Sequence, residues 1–492
     1  MRIAYSLLLM LPVVCDPGVV AQRAVPPMAT ASELVVLTNN SPTTRYLDPQ
    51  GRYAGLEYDL VEMFAREIGM KVRYLDRQPL YQILPALRDH RAHFAAAGVA
   101  MTSSRLEQFR FGPAYEYVQT VVAYNSESAA PRDVGALVGK RVEVVKGSSA
   151  IELLNESRQR YPGLSWTEMP ESDSEGLLSR LSERKVDYVL TSQNSLSVAQ
   201  NFHPNVARGF IIGPKVPLGW AFPKNGDPEL YRLAQTFFAR VAADGTLKQL
   251  IDRYYGHINR LDSMDVANFL ERREDVLPHY RAMFKEAQEI TDIDWRLVAA
   301  LGFQESHWEP LAVSPTGVRG LMMLTSETAD RMQLSDRLDP RQSIVGGAKY
   351  LLDIKEGLPP RILEPDRTWM ALAAYNIGIG HLEDARILTQ RRGGNPNVWV
   401  DVKKSLPLLA RYDYYSTVKH GYCRGGEAVE LTENIRNYFD ILVRFEPPHS
   451  EGMSTLVAQK DQFSNEEPPA VRPPESPIVQ SKPAATERRA AK

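Results

Sequence analysis

Cysteine is scarce in this sequence, and neither sign of charge is in excess. Cys15 and Cys423 are the only two cysteines among 492 residues, which excludes a disulfide framework and a thiolate zinc site. The 58 lysines and arginines are balanced by 60 aspartates and glutamates, so the chain has no global attraction for nucleic acid. No apolar run is long enough to cross a membrane, which excludes a polytopic membrane protein. The length and composition are instead typical of a globular chain with roughly two to four domains.

The N-terminus has the pattern of an export signal. Arg2 is followed by an apolar stretch over residues 3–14, which is too short for a membrane span. We predict a signal peptide at 1–21, cleaved after small residues, and a linker at 22–32. An alternative is a lipoprotein signal in which the cysteine of this segment is lipidated, although the residues before it fit that pattern poorly. The mature protein is expected to be exported and to lack a membrane span.

The C-terminal stretch 447–492 is rich in proline, with glutamate, serine, alanine and arginine between the prolines. It sustains neither a helical nor a strand period, so it cannot bury enough apolar surface to offset the entropy of ordering. We therefore predict a disordered tail.

Residues 33–257 alternate between short apolar strands and helical patterns. Residues 34–37 and 71–75 are typical of strands, and the segment 58–68 between them has helical spacing. The same rhythm resumes in the second half of the block. Strands that alternate with helices predict an α/β fold with a mostly parallel sheet, and the two halves predict a hinged, two-lobed binding module.

Four short motifs follow one another in this block and together carry a family resemblance. They are Gly55-Leu56-Glu57-Tyr58-Asp59-Leu60, Met101-Thr102-Ser103-Ser104-Arg105, Phe109-Arg110-Phe111-Gly112-Pro113-Ala114-Tyr115 and Val145-Lys146-Gly147-Ser148-Ser149. In this order they resemble the periplasmic solute-binding proteins for polar amino acids, over about residues 33–257. The resemblance implies that a ligand binds between the two lobes.

A carboxylate ligand suits the residues to which the resemblance points. The guanidinium of Arg105 can hold a carboxylate through two hydrogen bonds. Ser148 and Ser149 precede a helical pattern, and the first N–H groups of a helix can bind an anion. An equally good alternative is that these serines only cap the helix. By the resemblance, the ligand site contains Arg105, Thr102, Ser148 and Ser149.

One position departs from the pattern of the amino-acid binders. Where these proteins have an aspartate that pairs with the ammonium group of the ligand, this sequence has Ser192. A serine cannot supply the missing charge, and an ammonium buried without a partner is costly. We therefore expect a peptide or another anion rather than a free amino acid.

A charged stretch at 258–278 is expected to link this block to a second one, in which the pattern becomes helical. Val298, Leu301 and Glu305 fall at helical spacing, so that a carboxyl continues an apolar stripe. Most helical glutamates are solvated. One on an apolar face has its charged form disfavoured, so its pKa should rise. A raised pKa is what a general acid needs at neutral pH.

Four segments of the second block together resemble the lytic transglycosylase domain. In chain order they are Glu305-Ser306-His307-Trp308, the turn from Gly317 to Gly320-Leu321-Met322, Ala374-Tyr375-Asn376-Ile377-Gly378 and Arg436-Asn437-Tyr438. The resemblance covers about residues 279–446. It implies a mainly helical, goose-lysozyme-like domain that cleaves peptidoglycan.

The resemblance also implies a role for each matching residue. Glu305 would be the single catalytic acid and base. It would protonate the β-1,4 bond between N-acetylmuramic acid and N-acetylglucosamine, and then deprotonate the muramyl C6 hydroxyl, which closes a 1,6-anhydro ring. This hydroxyl replaces water, so no second carboxylate is required. The substrate-binding residues would be Ser314, Met322, Met323, Tyr375, Asn376 and Tyr438, with Met323 at a position where many relatives have glutamine.

Two alternatives remain open at this point. The enzyme could be a muramidase in which a second acid, such as Glu309 or Glu327, activates water. It could instead be a receptor whose helical block only binds glycan. Loss of Glu305 or Tyr375 would favour this alternative, and both residues are present. Product chemistry separates the two enzyme readings.

The expected partners follow from the two resemblances. They are peptidoglycan strands at the second block and a muropeptide or another carboxylate at the first block, with no nucleic acid and neither a metal nor a cofactor. The expected location is the periplasm, with attachment to the outer membrane, and the expected role is cell-wall remodelling and turnover.

Overall fold

The structure is a computed structural model that describes residues 24–41, 43–48, 51–75, 79–258, 261–314 and 317–449. The predicted signal peptide, with Cys15, and the predicted tail beyond residue 449 lie outside the described residues. Among the helices that the structure describes, none is both long enough and apolar enough to cross a membrane.

The first block consists of two α/β lobes, and lobe 1 is formed by both ends of the block. Its first part contains β1 (Glu33–Leu37), β2 (Tyr46–Leu47), β3 (Tyr53–Ala54), α1 (Leu56–Glu67), β4 (Lys71–Leu75), α2 (Leu80–Arg88), β5 (Phe94–Ala95), α3 (Ser103–Gln108) and β6 (Phe109–Phe111). A short 3-10 helix, Met28–Thr30, precedes β1.

The chain then crosses into lobe 2, completes that lobe and returns to lobe 1. Lobe 2 contains β7 (Glu116–Asn125), a 3-10 helix (Val134–Leu137), β8 (Val142–Val145), α4 (Ala150–Arg160), β9 (Thr167–Met169), α5 (Ser174–Ser182), β10 (Tyr188–Ser192), α6 (Gln193–Gln200) and β11 (Val206–Leu218). After the return, lobe 1 gains β12 (Ala221–Pro223), α7 (Pro228–Ala243) and α8 (Thr246–Tyr255).

Each lobe is organised around a five-stranded sheet. The strand order is β4-β1-β5-β12-β6 in lobe 1 and β11-β7-β10-β8-β9 in lobe 2. β1 runs parallel to β4 and β5, and β8 runs parallel to β9 and β10. After Glu33, β1 is apolar because both of its faces are covered: Leu34 and Val36 belong to one core cluster, whereas Val35 and Leu37 belong to another.

The second block is helical, as the sequence predicts. It contains α9 (Ser263–Asp275), α10 (Leu277–Thr291), α11 (Trp295–Ser306), α12 (Ser326–Arg331), α13 (Pro340–Gly357), α14 (Asp366–Ile377), α15 (Ile379–Arg391), α16 (Trp399–Ser405), a 3-10 helix (Leu406–Ala410), α17 (Tyr412–Tyr415) and α18 (Gly425–Phe445). α11 packs against α10 and α18. The predicted fold class, a two-lobed α/β domain followed by a mainly helical one, is confirmed.

The structure corrects the predicted linker at 258–278, because α9 occupies most of it. Val266 and Phe269, which are close to one turn apart, are buried in the core of the helical block. The ring of Phe269 contacts the rings of Phe303 and Tyr438, with centroids 4.6 and 4.5 Å apart. Most charged residues of α9 are exposed, namely Asp265, Glu271, Glu274 and Asp275, which gives the stretch its linker-like composition. α9 is therefore part of the helical block.

The predicted linker at 22–32 is also in contact with a lobe, from residue 24 onward. The backbone N–H of Val25 donates to the carbonyl of His90 at 2.8 Å. The N–H of Met28 donates to the Asp227 carboxylate at 2.9 Å. These bonds place the segment on lobe 1 rather than between domains.

The two blocks pack against each other in one compact unit that ends at Pro448, and a charge cluster lies at their interface. Arg436 of α18 is 2% exposed. Its guanidinium donates to the carbonyl of Asp252 in α8 and to the Glu433 carboxylate, both at 2.8 Å. Lys403 pairs with both Asp252 and Glu433. Opposite charges therefore compensate one another where burial would otherwise penalise each of them.

Lobe 2 also contacts α18. The side-chain amide of Asn201 donates to that of Asn437 at 3.2 Å. The rings of Phe202 and Phe445 lie 6.0 Å apart, and Arg444 pairs with Glu175 of α5. α18 therefore contacts lobe 1 through α8, lobe 2 through α5 and the end of α6, and the central helix α11.

Replacement of Phe269 by alanine tests whether α9 belongs to the helical core. The variant should lose about 3–5 kcal/mol of unfolding free energy, because a fully buried ring leaves a cavity. Met264→Ala on the same helix is the control, and should change stability by less than about 0.5 kcal/mol because an exposed side chain is removed. Denaturant titration of the mature protein measures both. Equally small effects at the two positions would contradict the packing of α9.

Candidate active site and ligand cleft

Glu305 lies in the last turn of α11, a helix that is buried over most of its length. The Asp294 side chain caps the helix start by accepting from the N–H of Arg296. Every residue from Trp295 to Phe303 is buried, so the helix carries Glu305 to the edge of the core. In the described part of the chain, burial is the one cause that shifts the pKa of Glu305, raising it from 4.5 to about 8. The carboxyl is therefore mostly protonated at neutral pH.

The chain reverses directly after Glu305. His307 and Trp308 both have left-handed φ angles, of 53° and 59°, which end α11. The indole N–H of Trp308 donates to the carbonyl of Ala299 at 2.8 Å, and the His307 ring stacks on Phe303 with centroids 4.7 Å apart. Left-handed backbone is unfavourable for such residues and persists where surrounding contacts hold it. The reversal thus fixes the end of the helix that carries the carboxyl.

The turn from Gly320 to Leu324 lies next to this helix end. Gly320 has a φ of 82°, and a Cβ atom there would lie 1.9 Å from the carbonyl oxygen of Arg337. Only glycine fits this position, since both the backbone angle and the space exclude a side chain.

Two side-chain hydrogen bonds hold the turn in place. The Ser306 hydroxyl donates to the carbonyl of Leu321 at 2.7 Å, and the Tyr375 hydroxyl donates to the carbonyl of Met322 at 2.8 Å. Burial and the charge of Glu305 both raise the pKa of Tyr375, which places the phenol within electrostatic reach of the carboxyl. The turn is therefore tied to α11 on one side and to α14 on the other.

Met322 is predicted to bind substrate, and the structure places its side chain in the core. Met322 is fully buried, and its side chain packs against Gly302 of α11 and Gly347 of α13. A flexible thioether fills this irregular gap between helices. Met322 contributes to the site through its backbone carbonyl, which accepts the hydrogen bond of the Tyr375 hydroxyl.

Tyr438 also lies in the core. It is 5% exposed, and its ring contacts Phe269 and Phe303, with centroids 4.5 and 4.9 Å away. Burial, together with Asp265 and Asp262 of the α9 region, raises its pKa. These contacts favour a packing role between α9, α11 and α18, and the predicted substrate contact of Tyr438 stays a prediction.

The remaining predicted substrate residues are accessible to solvent. Ser314 is half-buried, and its hydroxyl oxygen accepts a hydrogen bond from the N–H of Val318 at 3.2 Å. Met323 is half-buried, with a left-handed φ of 47°. Asn376 is exposed at the end of α14. Their contacts with a substrate stay predictions.

A cavity of about 520 Å³ lies between the two lobes of the first block. Arg105 of lobe 1 and Ser148 and Ser149 of lobe 2 line it, so the structure brings these predicted ligand residues together. The hydroxyl oxygens of Ser148 and Thr191 are buried at this cavity and have no hydrogen-bond partner among the described residues. Ser192, also in the lining, caps α6 by accepting from an N–H at 3.0 Å. The cavity thus offers unpaired hydroxyl groups to a ligand.

Arg105 makes its contacts across the cleft. Its guanidinium donates to the carbonyl of Gly147 in lobe 2 at 2.9 Å and to that of Ala100 in its own lobe at 3.3 Å. It also lies 3.5 Å from the carboxylate of Glu152 in α4. The Thr102 hydroxyl donates to the same carboxylate at 3.0 Å. The predicted residues Arg105 and Thr102 are therefore engaged with lobe 2 itself.

Sequence reasoning missed Ser306, Thr191 and Glu152. A signal existed for Ser306, because it directly follows Glu305 at a helix end where hydroxyl groups commonly bond to backbone. Thr191 is the second-to-last residue of the apolar strand β10, and no pattern in the sequence marks its hydroxyl as a cavity residue. Glu152 gave no signal, because its partners lie 48 and 50 residues away along the chain.

Comparison with known proteins agrees with this arrangement. Residues 34–257 match the bacterial extracellular solute-binding proteins, family 3, and residues 282–397 match the transglycosylase SLT domain. The chain is 48% identical over 446 residues to the membrane-bound lytic murein transglycosylase F of Nitrosospira multiformis, which covers 91% of this chain and 93% of that protein. It is 46% identical over 440 residues to the protein of the same name from Methylobacillus flagellatus, with coverages of 89% and 93%.

The fold, the site and these matches define the class of protein, a peptidoglycan lytic transglycosylase with an N-terminal solute-binding module. The two resemblances that the sequence motifs carry are thereby confirmed. The chain belongs to the membrane-bound lytic murein transglycosylase F family.

The raised pKa of Glu305 makes folding stability depend on pH. The folded state holds this proton more tightly than the unfolded chain, since burial raises the pKa from 4.5 to about 8. The stabilisation by the proton is complete below about pH 4.5 and is lost as the pH rises to about 8. Glu305→Gln lacks this proton. As the pH rises through this range, its unfolding free energy should therefore increase relative to that of the wild type by on the order of a few kcal/mol.

Denaturant titrations at pH 4.5 and pH 8 measure this difference. Glu309→Gln is the matched control and should show no such trend, because Glu309 is 59% exposed and is paired with Arg272. A difference between Glu305→Gln and wild type that does not grow with pH would contradict the desolvation of the Glu305 carboxyl.

Proposed function

We propose that Glu305 is the single acid and base of the lytic transglycosylase reaction on peptidoglycan. Its protonated carboxyl donates a proton to the oxygen of the β-1,4 bond between N-acetylmuramic acid and N-acetylglucosamine, and the bond from that oxygen to the muramyl C1 breaks. The resulting carboxylate accepts the proton of the muramyl C6 hydroxyl, whose oxygen bonds to C1 and closes the 1,6-anhydro ring. Glu305 ends the cycle protonated, and no water is consumed.

The observation that carries this proposal is the isolation of the Glu305 carboxyl. A pKa of about 8 suits a group that must donate a proton near neutral pH. Among the described residues, no second carboxyl contributes to that pKa. Glycosidases with two carboxylates place the second within about 5–10 Å of the first. An intramolecular hydroxyl at high effective concentration removes the need for one.

The muramidase alternative is less well supported. Glu309 is exposed and its carboxylate is bound by Arg272 at 2.7 Å, so it is directed to the surface and is already paired. Glu327 is exposed in the first turn of α12. Neither residue influences the pKa of Glu305. Both are therefore poor candidates for a base that activates water beside the catalytic acid.

We infer that the residues around Glu305 divide into positioning and substrate-binding groups. Tyr375 is a positioning residue, because its hydroxyl is bonded to the turn carbonyl of Met322. Ser314, Met323 and Asn376 are the accessible residues of the matched motifs, and we assign the sugar contacts to them.

We also propose where the protein works. The predicted signal peptide, the location of peptidoglycan outside the cytoplasm and the words "membrane-bound" in the names of the relatives support the periplasm. We infer attachment to the periplasmic side of the outer membrane and a role in cell-wall remodelling and turnover.

We propose that the cleft of the first block binds a cell-wall stem peptide or another carboxylate, and that this ligand regulates or positions the catalytic block. The unpaired hydroxyls of Thr191 and Ser148 support a polar ligand. Ser192 leaves the ammonium of a free amino acid without a charged partner, which disfavours that class. α18 contacts both lobes and α11, which gives a contiguous route between the cleft and Glu305. Such coupling must be reciprocal between the ligand and the substrate.

Glu305→Gln tests the catalytic assignment. The amide keeps the size of the side chain but cannot transfer a proton, so turnover of purified sacculi should fall by about 10²–10⁴-fold or more. The release of soluble muropeptides over time measures turnover.

The matched controls are Glu309→Gln and Glu327→Gln. Each removes an exposed carboxylate from the same block, and each should retain nearly full turnover. Near-normal activity of Glu305→Gln would show that Glu305 is not the catalytic acid and base. A large loss in either control would favour the muramidase alternative.

Ligand binding at the cleft is tested by calorimetric titration of the mature, full-length protein. Muropeptides from digested sacculi should bind more tightly than free amino acids. The C-terminal carboxylate of a stem peptide has no adjacent ammonium, whereas that of a free amino acid brings one that Ser192 cannot pair with. Arg105→Ala should weaken muropeptide binding by about tenfold or more, as expected for a lost charge-assisted contact. Tight binding of a free amino acid would refute the argument from Ser192, and unchanged binding in Arg105→Ala would refute the site.

A further inference from the structure

Glu152 belongs to lobe 2, and the described partners of its carboxylate all belong to lobe 1. One of its oxygens accepts from the Thr102 hydroxyl at 3.0 Å, and the other accepts from the Ser104 hydroxyl at 2.9 Å. The guanidinium of Arg105 lies 3.5 Å away. These three donors come from the start of α3, whereas Glu152 is in the first turn of α4. We call this set the Glu152 contact.

The Glu152 contact has the chemistry of carboxylate recognition. A guanidinium and hydroxyl donors both interact favourably with a carboxylate, because hydrogen bonds and ion pairs to a charged acceptor are stronger than those between neutral groups. The side chain of Arg105 is 12% exposed, and its terminal nitrogens are already bonded to the carbonyls of Gly147 and Ala100. A carboxylate that enters the cleft from solvent therefore meets an arginine whose donors are engaged and whose charge is already balanced.

A second contact closes the lobes near the same point. Gly147 of lobe 2 lies so close to α2 of lobe 1 that a Cβ atom there would be 2.5 Å from the Cα of Tyr81. The ammonium of Lys146 lies 4.9 Å from the centre of the Tyr81 ring, a cation–π distance. All partners in these contacts belong to the chain itself, so the closed arrangement of the lobes requires no group from a ligand.

We propose that Glu152 is an internal ligand of Arg105 that determines which carboxylates the cleft accepts. It joins the two lobes and balances the charge of Arg105, so a ligand carboxylate that binds Arg105 from the cavity competes with it for the guanidinium. An intramolecular carboxylate competes at a high effective concentration, so a small carboxylate alone cannot replace it. A larger ligand can, because it adds hydrogen bonds to the unpaired hydroxyls of Thr191 and Ser148. The statement about ligands rests on the proposed function of the cleft, whereas the statement about the lobes does not.

The first test measures the lobes without any ligand. Spin labels at cysteines that replace Gln82 in α2 and Gln159 in α4, both exposed, report the distance across the cleft in the mature chain with Cys423→Ala. Glu152→Ala should raise the population with longer label distances by about tenfold or more, because charge-assisted hydrogen bonds between the lobes are lost. Ser104→Ala, which removes one donor from lobe 1, should shift the population in the same direction by less.

Glu156→Ala is the matched control, one turn further along α4 and exposed. It removes the same charge from the same helix but should leave the distance distribution unchanged. If Glu152 only stabilised the start of α4, Glu152→Ala would lower the melting temperature and leave the label distances as they are, and that outcome would overturn the proposal. An equal shift in Glu156→Ala would overturn it as well.

The second test uses the disaccharide tetrapeptide released from sacculi as the probe. By calorimetry, Glu152→Ala should bind it about tenfold more tightly than the wild type, and the additional Arg105→Ala change should abolish that gain. Unchanged or weaker binding in Glu152→Ala would overturn the competition between the two carboxylates. If neither protein binds the probe while the label distances shift as expected, the ligand assignment fails and the closure by Glu152 stands.

Discussion

The burial of one carboxyl at the end of an apolar helix is the constraint on which the catalytic half of this molecule depends. Glu305 continues the buried stripe of α11, and no described charge offsets its desolvation, so the proton stays bound up to a pH of about 8. A carboxyl in this position destabilises the fold when it ionises. This cost in stability has a functional reason, because the same desolvation keeps the carboxyl protonated near neutral pH and so makes it an effective proton donor.

The surrounding elements act by keeping that carboxyl in one place. The reversal at His307 and Trp308 ends α11 directly after it, and Ser306 and Tyr375 hold the neighbouring turn from two sides. Gly320 makes that turn possible, since no side chain fits against Arg337. The rigid parts of the site thus come from bonds to backbone carbonyls, and no described residue forms a hydrogen bond or ion pair with the carboxyl itself.

α18 is the element through which the two blocks meet. Its Arg436 is buried in a charge cluster with Asp252 of α8, and its Asn437 and Phe445 contact lobe 2. On its inner side it packs against α11. A change in the arrangement of the lobes therefore has a direct structural connection, through α18, to the helix of Glu305.

Much of the fold and the catalytic candidate could be predicted from the sequence, because these depend on local patterns. The alternation of strands and helices in the first block and the apolar stripe that ends in Glu305 are properties of short windows. The contacts that escaped prediction depend on packing between distant segments. The charged face of α9 concealed the buried Phe269, and burial assigned Met322 to the core although its motif suggested a sugar contact. Glu152 meets α3 only in the folded protein.

The central claim is that one carboxyl and an internal hydroxyl, without water, cleave the glycan. Mass analysis of the muropeptides that the purified protein releases from sacculi tests this claim most directly. Closure of the ring by the C6 hydroxyl predicts products whose muramyl ends are 1,6-anhydro rings, with one water fewer than a hydrolysed end. Products that carry reducing muramyl ends, with the added water, would contradict it and would require a second catalytic carboxylate beside Glu305.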